Sequence, residues 1–193
     1  CFIFYNCCQK IPRCCRFHME AVMNFQLKSP GIINGIIADK YGKHAGNDIH
    51  DIPQTSIPLR WEGAPADTKA FALVCIDYDN YEEEGYPWLH WSVANIPAEI
   101  TELPENCSLD IQRIDRRIIQ GKTSWISELE PESPECNRYG GPAPQKKSHE
   151  YEFRLYALSD FLNLDNGYYH NYLRKSLQNV ILGEAVLCGK YIV

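Results

Sequence analysis

No apolar run in this chain approaches the roughly eighteen residues that a membrane-crossing helix needs, so a transmembrane protein is not expected. The sequence also has no G-x-S-x-G elbow and no H-x-x-x-H pair, which removes a common signature of serine hydrolases and one of helix-borne metal sites. Basic side chains are scarce once the first eighteen residues are set aside. Those residues hold Lys10, Arg13 and Arg16 and no acid, which leaves 16 basic against 25 acidic side chains and a formal charge near −9 for the remainder. A surface of that sign disfavours nucleic acid as a partner. A small anion, in turn, would need local N–H donors and histidines to oppose the general negative field.

Cysteine is dense only at the start. Of nine, Cys1, Cys7, Cys8, Cys14 and Cys15 fall in the first stretch, and Cys75, Cys107, Cys136 and Cys188 are spread over the rest. The two vicinal pairs lack the spaced turn by which zinc sites converge on one ion, so no metal is assigned there. Residues 1–22 read as a poorly structured leader or as sequence outside the native protein, with Met19 and Met23 as candidate starts and too little apolar length after Tyr5 for a signal peptide. The remaining thiols fit reduced cysteines in a cytoplasmic protein. At 193 residues, 45% hydrophobic and 23% charged, the chain is long enough to bury one core, expected as a single domain over residues 23–193.

Patterning predicts strands over residues 24–28, 35–41, 57–61, 69–77 and 88–96, from His149 to Leu158, and over 180–192, separated by Gly- and Pro-bearing turns. Residues 42–53 are turn-rich, and His44 and His50 within them read as solvated. The loop Asp79 to Pro87 carries three consecutive glutamates that read as a solvated tip. Residues 128–138 form an acidic, proline-bearing insertion expected at the surface, with a lid over a neighbouring pocket as the lesser reading. One helix is predicted over residues 168–178. Tyr168 or Tyr169, Tyr172, Leu173 and Leu177 form its core stripe, Asp165 or Asn166 is placed to cap its start, and Asn179 can end it in a left-handed conformation. Many strands and one clear helix imply a mainly β domain of two packed antiparallel sheets.

Two short stretches carry the chemistry. In the first, Gly140 and Gly141 lack a Cβ, so they can take positive φ and offer backbone N–H groups to an anion, while Pro142 and Pro144 stiffen the loop. It runs into a strand whose alternation sets His149, Tyr151, Phe153, Leu155 and Ala157 on one face, at once core and pocket wall. In the second, Phe71 to Asp79 is a buried strand ending in Asp77 and Asp79, which share a face, and the next strand, Trp88 to Ile96, carries His90. Cys75, inside the apolar run, reads as core rather than as a nucleophile. Two histidines with two carboxylates are also a ligand set for zinc or non-haem iron, so a metal-dependent hydrolase is the rival reading.

Together these stretches resemble the phosphatidylethanolamine-binding protein family, in its bacterial and archaeal Raf-kinase-inhibitor-like branch. The resemblance is carried by Leu59-Arg60-Trp61 with Ala64-Pro65, Lys69 to Asp79, Trp88-Leu89-His90-Trp91 with Ala94-Asn95-Ile96-Pro97, Gln120 to Trp125, Tyr139 to Leu158, Leu182 to Ala185 and Gly189-Lys190-Tyr191. It runs from about Met23 to the end, in the family's order. Tyr78 stands where many members have proline, and Asn179-Val180 where they often have Gly-His. The resemblance implies a Greek-key β architecture with a C-terminal helix and a small anion-accepting pocket. Carried over by motif, that pocket comprises Asp77, Asp79, His90, Gly140, Gly141, Pro142, His149 and Tyr151, with no catalytic or metal-ligating residue and no cofactor. In such a pocket His90, His149 and the glycine amides would hydrogen-bond a phosphate-like or carboxylate group while the aspartates orient the imidazoles. The resemblance further implies a ligand-binding or regulatory protein rather than an enzyme, taking a small anionic ligand or a phospholipid headgroup. Some relatives inhibit kinases or proteases, and homodimers are expected for the bacterial branch.

Overall fold

The computed structural model describes residues 25–46 and 48–193; the leader expected over residues 1–22, both candidate starts and the first residue of the first predicted strand lie outside the described residues. In chain order the strands are β1 (Gln26–Lys28), β2 (Ile32–Ile33), β3 (Ile36–Ile37), β4 (Asp48–Ile49), β5 (Ile52–Pro53), β6 (Leu59–Glu62), β7 (Ala70–Asp77), β8 (Trp88–Pro97), β9 (Glu102–Leu103), β10 (Ile119–Gln120), β11 (His149–Leu158) and β12 (Ile181–Tyr191). Two short α-helices, α1 (Tyr81–Glu84) and α2 (His170–Ser176), accompany them. The protein is mainly β. A seven-stranded sheet runs β10-β8-β7-β11-β12-β3-β2, a three-stranded sheet runs β1-β6-β9, and β4 pairs with β5. Pairing is antiparallel throughout except between β12 and β3.

The run Ala70–Asp77 has no polar face because both of its faces are covered. Phe71, Leu73 and Cys75 turn one way, joining Trp91, Val93, Phe153 and Leu155 from the large sheet and Leu27, Leu59, Trp61 and Leu103 from the small one. Ala72 and Val74 turn the other way and meet Leu89, Ala94, Leu158, Tyr168, Leu173 and Leu177. β11 keeps the predicted alternation, with His149, Tyr151, Phe153, Leu155 and Ala157 all buried. Strand periodicity therefore fills the space between sheets, and the outer face is closed by the segment around α2.

Several expectations are refined. The strand predicted over residues 35–41 is only β3 followed by a 3-10 turn at Asp39–Tyr41. The predicted helix is shorter than its pattern; Tyr168, Leu173 and Leu177 are buried, but Tyr169 and Tyr172 face solvent. No side chain caps its start, and Asn166 instead accepts from the Gln120 backbone N–H at 3.0 Å. Asn179 does adopt positive φ, 66°. The insertion at residues 128–138 is not wholly a surface segment: Glu135 and Cys136 are buried in a 3-10 turn. Cys75, Cys107, Cys136 and Cys188 are unbridged. Among the described residues no helix is long and apolar enough to cross a membrane.

Candidate functional site

The C-terminal end of β7 meets the start of β11 at one end of the large sheet, with Asp77 paired in register to Tyr151 and, on its other side, to Trp88 of β8. β8 loses register at this point: Trp91 faces Cys75, but Leu89 faces Ile76, so His90 is an extra residue between two pairs. Such a bulge re-aims side chains. Leu89 joins the outer apolar layer, while His90 and Trp88 line a cavity beyond the end of the inner core.

That cavity has a volume of about 440 Å³. Its floor is Asp77, His90, His149 and Tyr151, and its walls include Trp88, Trp125, Ile52 and the turn Ala143–Gln145. His149 Nδ1 lies 2.8 Å from Asp77 Oδ2, with both residues almost fully buried. A carboxylate only accepts, so Nδ1 donates. The second Asp77 oxygen accepts from the Asn80 backbone N–H at 3.1 Å, which ties the start of the α1 turn to the strand end. His149 Nε2 is buried and makes no hydrogen bond. It lies 3.5 Å from Glu83 Oε1, whose side chain is only 9% exposed.

His90 is held differently. Its Nδ1 donates to the Gly140 carbonyl at 2.6 Å, and the Gly140 N–H donates back to the His90 carbonyl at 3.0 Å. Nδ1 thus carries the proton, and the neutral ring keeps its lone pair on Nε2. Burial pushes the His90 pKa below its ordinary value, against opposing contributions from the Gly140 carbonyl and the Asp77 charge. The ring packs edge-to-face on Tyr151, centroids 5.0 Å apart. Tyr151 stays a phenol, because burial first and the nearby Asp77 charge next push its pKa well up. The same two causes raise the Cys75 thiol, which remains a protonated core side chain.

Three expectations about the site need correction. Gly140 and Gly141 do not adopt positive φ, and neither amide is free, since Gly141 N–H donates to the Pro53 carbonyl at 2.8 Å. The glycines serve packing instead: a Cβ on Gly140 would collide with the Trp125 indole, and one on Gly141 with the Tyr41 carbonyl. Pro142 does not line the cavity; its carbonyl accepts from Lys43 N–H. Asp79 is also outside the lining, its Oδ2 accepting from the Glu150 backbone N–H at 2.9 Å, which splints the acidic turn to β11.

Other residues enter that pattern reading passed over. His50 and Asn80 line the cavity, as do Glu83, Glu84, Glu128 and Leu129, from segments read as a solvated tip and a surface insertion. Trp88 and Trp125 meet edge-to-face at 5.1 Å and form an aromatic wall. The lining thus holds four carboxylates, Asp77, Glu83, Glu84 and Glu128, with no lysine or arginine among the described lining residues. Among the described residues no group of three or more His, Cys, Asp or Glu is arranged to hold a metal ion.

Residues 28–192 match the phosphatidylethanolamine-binding protein family. The chain belongs to that family. Among relatives it is 37% identical to the uncharacterized protein YxkA of Bacillus subtilis over 155 residues, covering 78% of this chain and 90% of that protein. It is 35% identical to a UPF0098 protein of Methanothermobacter thermautotrophicus, covering 77% of this chain and 95% of the relative. The crystal structure of Escherichia coli YbcL, described as a member of the mammalian family, superimposes with a TM-score of 0.72 at 26% identity, covering 88% of this chain and 99% of that one. Chlamydia trachomatis CT736 gives 0.69 at 25% identity over 88% and 97%. The family's β-rich architecture and the meeting of β7, β8 and β11 at one cavity are therefore described together in this chain.

Proposed function

We propose that this protein binds a small ligand through a phosphate-like or carboxylate oxygen placed against His149, with Tyr151 and His90 completing the floor. The observation that carries the reading is the buried Asp77–His149 pair in the cavity lining, whose outer nitrogen is buried without a hydrogen-bond partner. Asp77 holds Nδ1, so the ring is oriented with Nε2 toward a guest. An anion is bound when Nε2 also carries a proton, making the ring an imidazolium compensated by Asp77.

The cavity suits a phospholipid headgroup or a free phosphoester in size, and its Trp88 and Trp125 wall offers apolar area beside the polar floor. Ligand-detected NMR with O-phosphoethanolamine tests the reading on the parent, His149→Ala and His90→Ala, each first shown to unfold cooperatively. Saturable binding by the parent that is abolished in His149→Ala and weakened in His90→Ala is expected. Binding that survives His149→Ala unchanged, or fails in the parent, overturns it.

A further inference from the structure

A second cavity, also of about 440 Å³, opens on the outer apolar layer of the large sheet, where Leu89 and Ile76 point. The same short segments build both cavities, because successive residues turn opposite ways. Asp77, His90 and Trp125 line the first, while Ile76, Leu89 and Ile126, their neighbours in sequence, line the second. The two linings differ in charge. Four carboxylates and no lysine or arginine line the first, whereas the second has no Asp or Glu and holds Lys122.

Lys122 is only 9% exposed, yet none of the described ion pairs includes it. Its Nζ donates to the Pro131 carbonyl, a neutral acceptor, and the other two N–H groups of the ammonium have no acceptor among the described residues. Glu132 and Glu135 act electrostatically on the nearby Cys136 thiol, as Lys122 does, but neither pairs with the lysine. A lysine buried to this degree is almost always paired, since an uncompensated charge away from water is costly. His170, in the same lining, has a buried Nδ1 without a partner, and burial first and the Arg174 charge next lower its pKa.

We propose that this outer cavity is a second binding site, independent of the first, for an apolar monocarboxylate whose carboxylate pairs with Lys122 and whose hydrocarbon body lies against Ile76, Leu89 and Ile126. One lysine in an acid-free lining compensates one charge, which favours a monoanion over a phosphate dianion. Tyr86, Pro87 and Tyr169 extend the apolar wall, so burial of the body supplies affinity while the ion pair orients the guest.

Methyl NMR titrations with octanoate, octanol and acetate test this. The isoleucine δ1 methyls separate the sites, since Ile76 and Ile126 line the outer cavity and Ile52 the first. Octanoate should shift Ile76 and Ile126 saturably and bind about tenfold more tightly than octanol, which has the same body without the charge. Acetate, with the charge but no body, should leave them unmoved. Lys122→Met keeps an apolar stem without the ammonium and should erase the preference for octanoate, which Lys122→Arg should retain. Ser127→Asp sets a carboxylate at an exposed position of the lining and should weaken octanoate several-fold with Tm unchanged. That variant carries the test if Lys122→Met does not unfold cooperatively. Octanoate shifts confined to Ile52, equal affinities for octanoate and octanol in the parent, or octanoate affinity unchanged in Ser127→Asp or in folded Lys122→Met overturns the site. Binding of an acetylated, amidated Leu-Glu-Leu peptide at Ile76 and Ile126 with none of octanoate gives the cavity to a protein's carboxylate and also overturns it.

Discussion

Removing the Asp77 carboxylate is the sharpest probe of the site's construction. Its two oxygens satisfy two buried donors, His149 Nδ1–H at 2.8 Å and Asn80 N–H at 3.1 Å. Asp77→Ala strands both. An unsatisfied buried donor costs about 1–3 kcal/mol, and breaking a buried charged pair about 3–5 kcal/mol. Truncation to alanine opens space beside the cavity that water can enter, so we place the loss near the lower end, about 3 kcal/mol. For a chain of this size, 1 kcal/mol corresponds to roughly 2–4 °C in Tm, so Asp77→Ala should melt about 6–12 °C below the parent. Asp77→Asn keeps a carbonyl oxygen for one donor and should lose about half as much. Thermal unfolding followed by circular dichroism, with a urea series to confirm an unchanged m value, measures both. A Tm for Asp77→Ala within about 1 °C of the parent, or an equal loss for the two variants, would refute this account of the carboxylate.

The other expectations concern the second histidine and the glycine loop. Burial holds the His90 pKa below its ordinary value of about 6.5, so the folded state keeps the ring neutral while the unfolded state takes up a proton. The contribution is therefore fully present above pH 6.5 or so, is lost as pH falls from there to the depressed folded pKa, and is constant below it. His90→Asn can keep the bond to the Gly140 carbonyl and does not titrate, so urea midpoints at pH 7.5 and 5.5 should differ less than in the parent; identical differences would contradict this. Gly140→Ala brings a Cβ against the Trp125 indole and to 3.1 Å from Ile52 Cγ2. It should cost about 1–3 kcal/mol and shift tryptophan emission as the aromatic wall moves; unchanged emission and Tm would show that the contact relaxes freely.

Much of the architecture was legible because strand periodicity and burial have one cause. The alternation from His149 to Ala157 puts one set of side chains into the core wherever that strand sits, and the unbroken apolar run of β7 requires cover on both faces. Residues whose placement depends on distant partners were less legible. His90 was found by its family motif, but its aim toward the cavity depends on a bulge opposite β7, which strict alternation does not contain. Tyr172 fits a helical stripe and is nonetheless exposed, since only part of the stripe has anything to pack against.

Sequence by itself determined the mainly β class, the covered strands, the ordered motifs of the family and the presence of Asp77, His90, His149 and Tyr151 near strand ends. These depend on local pattern, which the chain carries in linear form. Tertiary structure alone decided how those groups are used. It bound both glycine amides into the scaffold, where a bare loop sequence suggests free donors, because the close approach of Trp125 and Tyr41 fixes that backbone. It also turned Glu83 inward to within 3.5 Å of His149 while its neighbour stayed outside. Three adjacent glutamates are identical in composition, and only the clamped turn and the strand ends beneath it set Glu83 against His149, bring Glu84 into the cavity lining and leave Glu82 outside it.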